Sequence, residues 1–146
     1  EERGQSEAIA RNLAVMSSLK AKILVVITGE GGSGGALALG VGDHIAILEY
    51  GTYSVASPEA CASIVWRESE KAPEAAEAMK VGANDLKNIG IVDEIITEPI
   101  GGAHQDYDMV SANIKSSLLT NIAELSKFSQ EELLQRRYQR LLKIGA

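Results

Sequence analysis

The feature that most constrains this chain is an apolar run that leads directly into a glycine-rich segment. Ile23 to Thr28 is a β-branched stretch typical of a buried strand, and the next seven positions, Gly29 to Gly35, contain five glycines. Ala36 to Leu39 then has the character of a short helix. Backbone N–H groups at a helix start lack intrahelical acceptors, and glycines let a ligand approach them closely. The pattern predicts a strand–turn–helix unit whose main-chain amides bind an anionic oxygen.

The rest of the pattern predicts an α/β domain with a helical tail. Apolar spacing predicts a helix over 5–20 that covers one face of the first strand. The later predicted elements are strands at 44–50 and 53–56 joined by a tight Gly51-Thr52 connection, short helices beginning at Ser57, Pro73 and Asn84, a strand at 91–96, and two tail helices, the second opened by a capping box at Ser129 to Glu132.

Charge and cysteine content exclude several kinds of site. The chain has 146 residues and a net charge of −6, which argues against a general nucleic-acid or anionic-membrane surface. The basic cluster Arg136 to Arg140 is predicted to be a solvated or subunit-facing surface of the last helix. A single cysteine, Cys61, excludes an internal disulfide and fits a reducing compartment. Only two histidines accompany it, so we predict no metal site, and no apolar run reaches the length of a membrane span.

Two motif-based alternatives compete for the glycine segment. Gly29, Gly31 and Gly34 match the dinucleotide-binding pattern G-x-G-x-x-G, with Glu49 near the position of a ribose-binding acid. Against it, glycines at 40 and 42 end the next helix too early for it to cross a parallel sheet.

The second alternative is a serine hydrolase. Ser33 is the centre of a G-x-S-x-G match, with Asp93 and His104 in the chain order that a triad requires. Any glycine turn with a central serine satisfies this pattern. A third interpretation uses only two N–H groups of the turn, which stabilise a developing oxyanion without a side-chain nucleophile.

Longer motifs surround the glycine segment. They are Gly29 to Ala38, Tyr53-Ser54-Val55-Ala56-Ser57-Pro58-Glu59-Ala60-Cys61-Ala62-Ser63-Ile64, Lys71-Ala72-Pro73, Glu2 to Ala10, Glu98-Pro99-Ile100-Gly101-Gly102-Ala103-His104, and Arg136-Arg137-Tyr138-Gln139-Arg140. Together they resemble the carboxyltransferase α subunit of bacterial-type acetyl-CoA carboxylase over nearly the whole chain. The resemblance implies a crotonase-type fold, a partial spiral of β-β-α units with a C-terminal helical tail.

The resemblance also implies an activity. In that family a carboxyl group passes from carboxybiotin, on its carrier protein, to acetyl-CoA, which gives malonyl-CoA for fatty acid biosynthesis. The glycine turn of the α subunit holds the enolate-like oxygen of biotin as the carboxylate leaves. Carried over to this chain, Gly34 and Gly35 are the catalytic donors, and Gly31 and Gly32 shape the substrate-binding turn.

Partners and location are implied in the same way. The resemblance implies a β subunit that carries zinc, a biotin carboxyl carrier protein, an α2β2 heterotetramer, no membrane, and the cytoplasm or plastid stroma. The chain begins at Glu1 without an initiator Met and is shorter than a whole α subunit, so it resembles the C-terminal portion and is expected to be inactive alone. We expect residues 1–105 to belong to the carboxyltransferase domain and 106–146 to the tail.

Two other function classes stay open. Another crotonase-type acyl-CoA enzyme would need its own acid or base, for which Glu59 is the candidate. A non-catalytic assembly module would use the apolar stripes of the tail helices.

Overall fold

Secondary structure follows the predicted order, with one added strand inside the glycine segment. The computed structural model describes residues 2–144, so the outer ends of the two expected domains, residues 1, 145 and 146, lie outside the described residues. The helices are α1 (Gln5–Ser18), α2 (Ser33–Leu39), α3 (Pro58–Trp66), α4 (Ala72–Met79), α5 (Ala83–Asn88), α6 (Tyr107–Leu125) and α7 (Gln130–Leu142). The strands are β1 (Leu24–Ile27), β2 (Glu30–Gly32), β3 (His44–Leu48), β4 (Thr52–Ser54) and β5 (Glu94–Ile96).

The strands form two parallel sheets, which confirms the α/β class. One sheet has the order β1-β3-β5, and the other consists of β2 and β4. Two successive β-β-α units therefore align, because the first strand of each enters one sheet and the second strand enters the other. The tight connection between β3 and β4 is confirmed, but it joins strands of different sheets.

The core lies on both faces of the three-stranded sheet. Successive side chains of a strand point to opposite faces, so β3 supplies Ile45 and Ile47 to one side and Ala46 and Leu48 to the other. The first face packs on α5 and the second on α6, through Val110. This strand is buried on both sides, which explains its continuous apolar run.

Helix ends are confirmed where capping chemistry is strong. The Ser57 side chain accepts a hydrogen bond from Ala60 N–H ahead of Pro58, and Ser129 and Glu132 form the predicted capping box. The prediction that α1 covers the first strand is wrong: α1 packs chiefly on α2 and α7, and α6 lies against β1 instead. The glycine-rich start of α2 leaves room for the neighbouring helix.

In the larger sheet, an aspartate that precedes a strand forms two hydrogen bonds with a residue at the beginning of the neighbouring strand. Asp43 donates its N–H to Ile23 C=O at 2.8 Å, and its carboxylate accepts the Ile23 N–H at 2.8 Å. Asp93 repeats both bonds with Ile45, at 2.7 and 2.8 Å. The carboxylates therefore complete the ladders where the short strands begin.

Two arginines of α7 pair with these aspartates. Arg137 is only 1% exposed and Arg140 is mostly buried, so the prediction of a solvated or subunit-facing cluster is wrong for both. Arg137 donates hydrogen bonds from Nε and Nη2 to the two carboxylate oxygens of Asp43, each at 2.9 Å. The same guanidinium donates to the carbonyls of Met16, Leu19 and Ala21, at the end of α1 and beyond it, at 2.8–2.9 Å.

Replacing Arg137 should be severely destabilising. In Arg137→Gln the buried Asp43 carboxylate loses its cation and three carbonyls lose their donor, so we expect a loss of about 3–5 kcal/mol in the free energy of unfolding, measured by urea denaturation. The control is Arg136→Gln, because that side chain is exposed over the Phe128 ring, 4.1 Å from its centroid. It should cost less than about 1 kcal/mol. Equal losses in the two variants would contradict the anchoring role.

Glu94 joins α6 to the sheet. Its Oε2 accepts hydrogen bonds from His44 Nε2 at 3.0 Å, Ser117 Oγ at 2.8 Å and Asn121 Nδ2 at 2.9 Å. Burial raises the pKa of Glu94, but the hydrogen bonds from Ser117, His44 and Asn121, with the charge of His44, outweigh burial and leave the pKa below its ordinary value.

This lowered pKa makes stability depend on pH. As the pH falls, the unfolded chain binds the proton first, so the contribution of Glu94 is full above the ordinary glutamate value of 4.5 and is lost as the pH falls through the lower folded value. Thermal unfolding followed by circular dichroism from pH 6 to pH 3 should show a smaller fall in Tm for Glu94→Gln than for the unmodified chain. Glu77→Gln, an exposed position on α4, should keep the original slope. Parallel curves for all three proteins would refute this.

Candidate functional site

The glycine segment combines a short strand with the start of a helix. Residues 30–32 pair in parallel with β4, with Gly31 opposite Tyr53 and Gly32 opposite Ser54. Helix α2 begins at Ser33, so Gly34 and Gly35 are its second and third residues. No side chain of the described residues caps this helix start. The amides of its first turn therefore remain available as donors, because they have no intrahelical acceptor.

At most positions of this segment, neither the backbone conformation nor contacts with the described residues require a glycine. None of the five has a positive φ. A Cβ built on Gly29, Gly32 or Gly35 meets no atom within 4 Å, and one on Gly34 lies 3.7 Å from Ile9 Cγ2, an ordinary contact. Only Gly31 is sterically required, since its Cβ would lie 2.7 Å from Tyr53 Cδ2. Three positions are therefore open on the side where a side chain would project.

The strained residue of the turn is the serine. Ser33 has a φ of 57°, a left-handed conformation that is unfavourable for a residue with a Cβ. Such backbone outliers cost about 1–3 kcal/mol and cluster at ligand sites. It lies at the junction of β2 and α2, immediately before Gly34.

A largely apolar cavity of about 480 Å³ lies beside this junction. Its lining residues come from α2, β4 and its end, α4, α5 and the segment after α5: Ser33, Gly34, Leu37, Tyr53, Ser54, Val55, Met79, Leu86, Ile89 and Ile91. Of the four predicted site residues, Gly34 lines the cavity directly. Gly35 follows it in the same turn, and Gly31 and Gly32 form the strand behind it.

Tyr53 fixes this arrangement. Its ring passes over Gly31, and its hydroxyl lies where a Cβ on Gly40 would be. The hydroxyl donates to Ala36 C=O at 3.1 Å. Burial raises the pKa of Tyr53, partly offset by the charge of Arg140, so the phenol stays protonated and keeps this bond. The tyrosine holds β2 and α2 together from the cavity side.

The serine-hydrolase constellation does not assemble. Within residues 2–144, no His, Asp or Glu lines the cavity beside Ser33. Asp93 is bound to Ile45 N–H and Arg140, while His104 lines a separate depression with Tyr50 and contacts Gln105 at 2.9 Å. A nucleophilic serine needs a base within hydrogen-bond reach.

The other candidate side chains also fail to reach the site. The seven residues of α2 do not form the long crossover helix of a dinucleotide-binding unit, and Glu49 accepts Glu98 N–H at 3.2 Å. Glu59 is exposed on α3 and is absent from the described cavity lining. Cys61 is a partly buried free thiol.

The described residues contain neither a cluster of metal ligands nor a helix that could span a membrane. Between residues 2 and 144, no three His, Cys, Asp or Glu side chains converge in a way that would hold a metal ion. None of the described helices combines the length and the apolar character needed to cross a bilayer.

Sequence reasoning missed most of the cavity wall. Val55, Met79, Leu86 and Ile89 read as ordinary apolar residues of separate parts of the chain, and only the tertiary fold brings them to one cavity. The one usable signal was the motif around Tyr53, which the resemblance included without assigning it a role.

Comparison with known proteins identifies the family. The family model described as acetyl co-enzyme A carboxylase carboxyltransferase-like matches residues 1–145. The acetyl-coenzyme A carboxylase carboxyl transferase subunit alpha of Vibrio cholerae serotype O1 is 59% identical over 145 residues, and that of Pseudoalteromonas atlantica is 57% identical. Each match covers 99% of this chain and 46% of the relative, so the chain spans about half the length of these curated relatives.

A solved structure agrees at the level of the fold. A chain of a Pseudomonas malonate decarboxylase hetero-tetramer, crystallised in complex with coenzyme A, superposes with a TM-score of 0.71 at 16% identity. The superposition covers 93% of this chain and 54% of that one. Taken with the family match over residues 1–145, these findings show that the chain belongs to the acetyl-CoA carboxylase carboxyltransferase-like family.

Proposed function

We propose that this chain forms the biotin-side half of a carboxyltransferase site, which passes a carboxyl group from carboxybiotin to acetyl-CoA and yields malonyl-CoA. The observation that carries the proposal is the open glycine turn: no side chain of residues 2–144 caps the first turn of α2, and none of their atoms lies within 4 Å of a Cβ built on Gly32 or Gly35. Fatty acid biosynthesis is the corresponding pathway, and the names of the curated relatives support this activity.

Each part of the turn has a separate task in this proposal. The N–H groups of Gly34 and Gly35 donate to the oxygen that gains negative charge, and Gly31 and Gly32 hold the strand that aims them. Preorganised donors of this kind are worth about 3–4 kcal/mol each in the transition state. The cavity wall is largely apolar, and a low dielectric constant around the turn strengthens both hydrogen bonds. Carboxybiotin, brought by its carrier protein, supplies the carboxyl group.

The fold of the complete domain is proposed to be the crotonase-type spiral. The two aligned β-β-α units and the structural likeness to the decarboxylase chain support it. The proposed division is a carboxyltransferase part over 1–105 and a helical tail over 106–146. Both tail helices pack on the first part, α6 through Val110 and α7 through Arg137.

The proposed assembly is an α2β2 heterotetramer in the cytoplasm or plastid stroma. Its β subunit carries the zinc and the amides for acetyl-CoA, so this chain alone is expected to be inactive. Large apolar side chains exposed on the described surface support a partner: Val55 is 83% exposed, Ile64 77% and Ile100 95%.

Blocking the turn should abolish activity without unfolding the chain. A chimera tests this, in which the chain replaces the matching 145 residues of the Vibrio cholerae subunit and is assembled with the β subunit of that organism. Gly35→Val fills the open side of the turn, and we expect carboxyl transfer between malonyl-CoA and a soluble biotin analogue to fall about 10²–10³-fold.

Two variants separate a blocked site from a damaged fold. Gly82→Val adds a side chain at an equally open glycine before α5, outside the described cavity wall, and should keep full activity. Gly31→Ala should lose assembly on gel filtration as well as activity, because its Cβ meets Tyr53. An assembled, fully active Gly35→Val chimera would disprove the role of these amides.

Ser33 should be dispensable as a nucleophile. Ser33→Ala keeps a Cβ and the same backbone, so we expect activity within about tenfold of the parent in the same assay. A nucleophilic serine would lose roughly 10⁶-fold. Ser33→Gly, which relieves the positive φ, should raise the free energy of unfolding by about 1 kcal/mol. A loss of activity in Ser33→Ala beyond a thousandfold would return the hydrolase interpretation.

A further inference from the structure

Most of the charged side chains that line a second cavity are positive, although the chain as a whole is acidic. The cavity measures about 470 Å³ and lies between α7 and the turn after α5. Among residues 2–144, its charged lining consists of the four cations Arg136, Arg137, Arg140 and Lys143, against the two carboxylates Asp43 and Asp93. The wall therefore carries an excess of two positive charges, although the net charge of the chain is −6.

Of the two buried arginines in this wall, one has all its N–H groups paired within the described residues and the other does not. Arg137 is satisfied by Asp43 and three carbonyls. Arg140 engages only Nη2, which donates to Ile91 C=O at 2.7 Å and to Asp93 at 3.0 Å. Its Nε and Nη1 are buried and find no acceptor within residues 2–144. Buried N–H groups of a charged side chain are costly when they lack an acceptor.

The exposed part of the charge has no carboxylate partner among residues 2–144. Arg136 lies one helical turn before Arg140 on α7, and Lys143 is the C-cap residue of that helix. In the described part of the chain neither forms an ion pair. Hydrogen bonds to Ser129, and then the charge of Arg136, lower the pKa of Glu132. This side chain is exposed and already accepts Ser129 N–H at 2.7 Å.

We propose that this cavity binds a phosphate group. One phosphate dianion neutralises the excess of two positive charges, and its oxygens match the fork of a guanidinium. In this proposal Arg140 turns its unmatched Nε and Nη1 towards the anion, and Arg136 and Lys143, which line the same cavity, donate alongside it. A ligand carboxylate brings a single charge and leaves the wall positive, so phosphate is the better match.

The position of the cavity suggests where such a phosphate comes from. Ile89 lines both this cavity and the apolar one beside Gly34. The two cavities therefore adjoin at this residue. The shared chemistry is the phosphate group, which belongs either to inorganic phosphate or to the 3′-phosphate end of coenzyme A.

Direct titration tests the site without relying on turnover. The whole 146-residue chain and the chimeric subunit are titrated with inorganic phosphate at low ionic strength, by calorimetry and by ³¹P line broadening. We expect saturable binding that weakens with added sodium chloride. The double variant Arg136→Gln/Lys143→Gln should bind at least about tenfold more weakly, because it removes two charge-assisted contacts.

Control variants keep the result from depending on stability. Lys115→Gln removes an exposed cation of α6 outside the cavity and should bind phosphate like the parent, while Lys143→Arg should retain binding. Circular dichroism checks that each variant is folded. No saturable binding to the folded parent, or equal binding by the double variant, would overturn the proposal.

Two further ligands distinguish the sources. If the phosphate belongs to coenzyme A, coenzyme A should bind more tightly than inorganic phosphate, and 3′-dephospho-coenzyme A should lose most of that gain. Equal affinity of the cavity for coenzyme A and phosphate would assign the site to free phosphate. Because these titrations need no β subunit and no carboxyl transfer, an inactive chimera with intact phosphate binding would count against the proposed function alone.

Discussion

The contact between Arg137 and Asp43 is the interaction on which the rest of the structure depends. The guanidinium of Arg137 donates hydrogen bonds to both oxygens of the buried Asp43 carboxylate. It also donates to three carbonyls at the end of α1 and beyond it, so it connects α7, α1 and the start of β3. Such a pair gains little from Coulomb attraction alone, since desolvation offsets most of it, but removing either partner leaves a buried group unmatched. Its contribution is therefore to fix one arrangement. Because α1 also packs on α2, next to Gly34, the arrangement extends to the glycine turn.

Side-chain carboxylates also form hydrogen bonds at other strand ends of the larger sheet. Strands of three to five residues offer few ladder bonds, and carboxylates extend the ladder at both ends. Asp43 and Asp93 close it where the strands begin. Where they end, Glu98 accepts Tyr50 N–H at 2.8 Å and Glu49 accepts Glu98 N–H. A charged acceptor forms a stronger bond to a backbone amide than a neutral carbonyl does. Part of the acidic character of the chain is thus structural, which is why its net charge by itself says little about its ligands.

Local chemistry was predictable from the sequence, and distant pairing was not. The caps at Ser57 and Ser129 act within one helical turn, so their residue types are sufficient evidence. The Arg136–Arg140 cluster was misjudged because Arg137 finds Asp43 ninety-four positions earlier in the chain. The sequence places the glycine segment between a strand and a helix, as the structure has it, but the residue types do not distinguish its five glycines from one another. Only the structure separates Gly31, which Tyr53 requires, from Gly35, which nothing in the chain requires.

The distribution of reactive side chains supports the proposal that backbone amides carry the chemistry. Asp93 is bound to Arg140, His44 to Glu94, and Glu49 and Glu98 to strand amides, so each of these groups has a structural role away from the apolar cavity. What faces the cavity near its polar edge is a strained serine without a base and an uncapped helix start. Donors fixed by the backbone need no reorganisation when charge develops, and they do not depend on a protonation state. A site built in this way tolerates an acidic, histidine-poor chain, provided that a partner or carrier delivers the reacting groups to it.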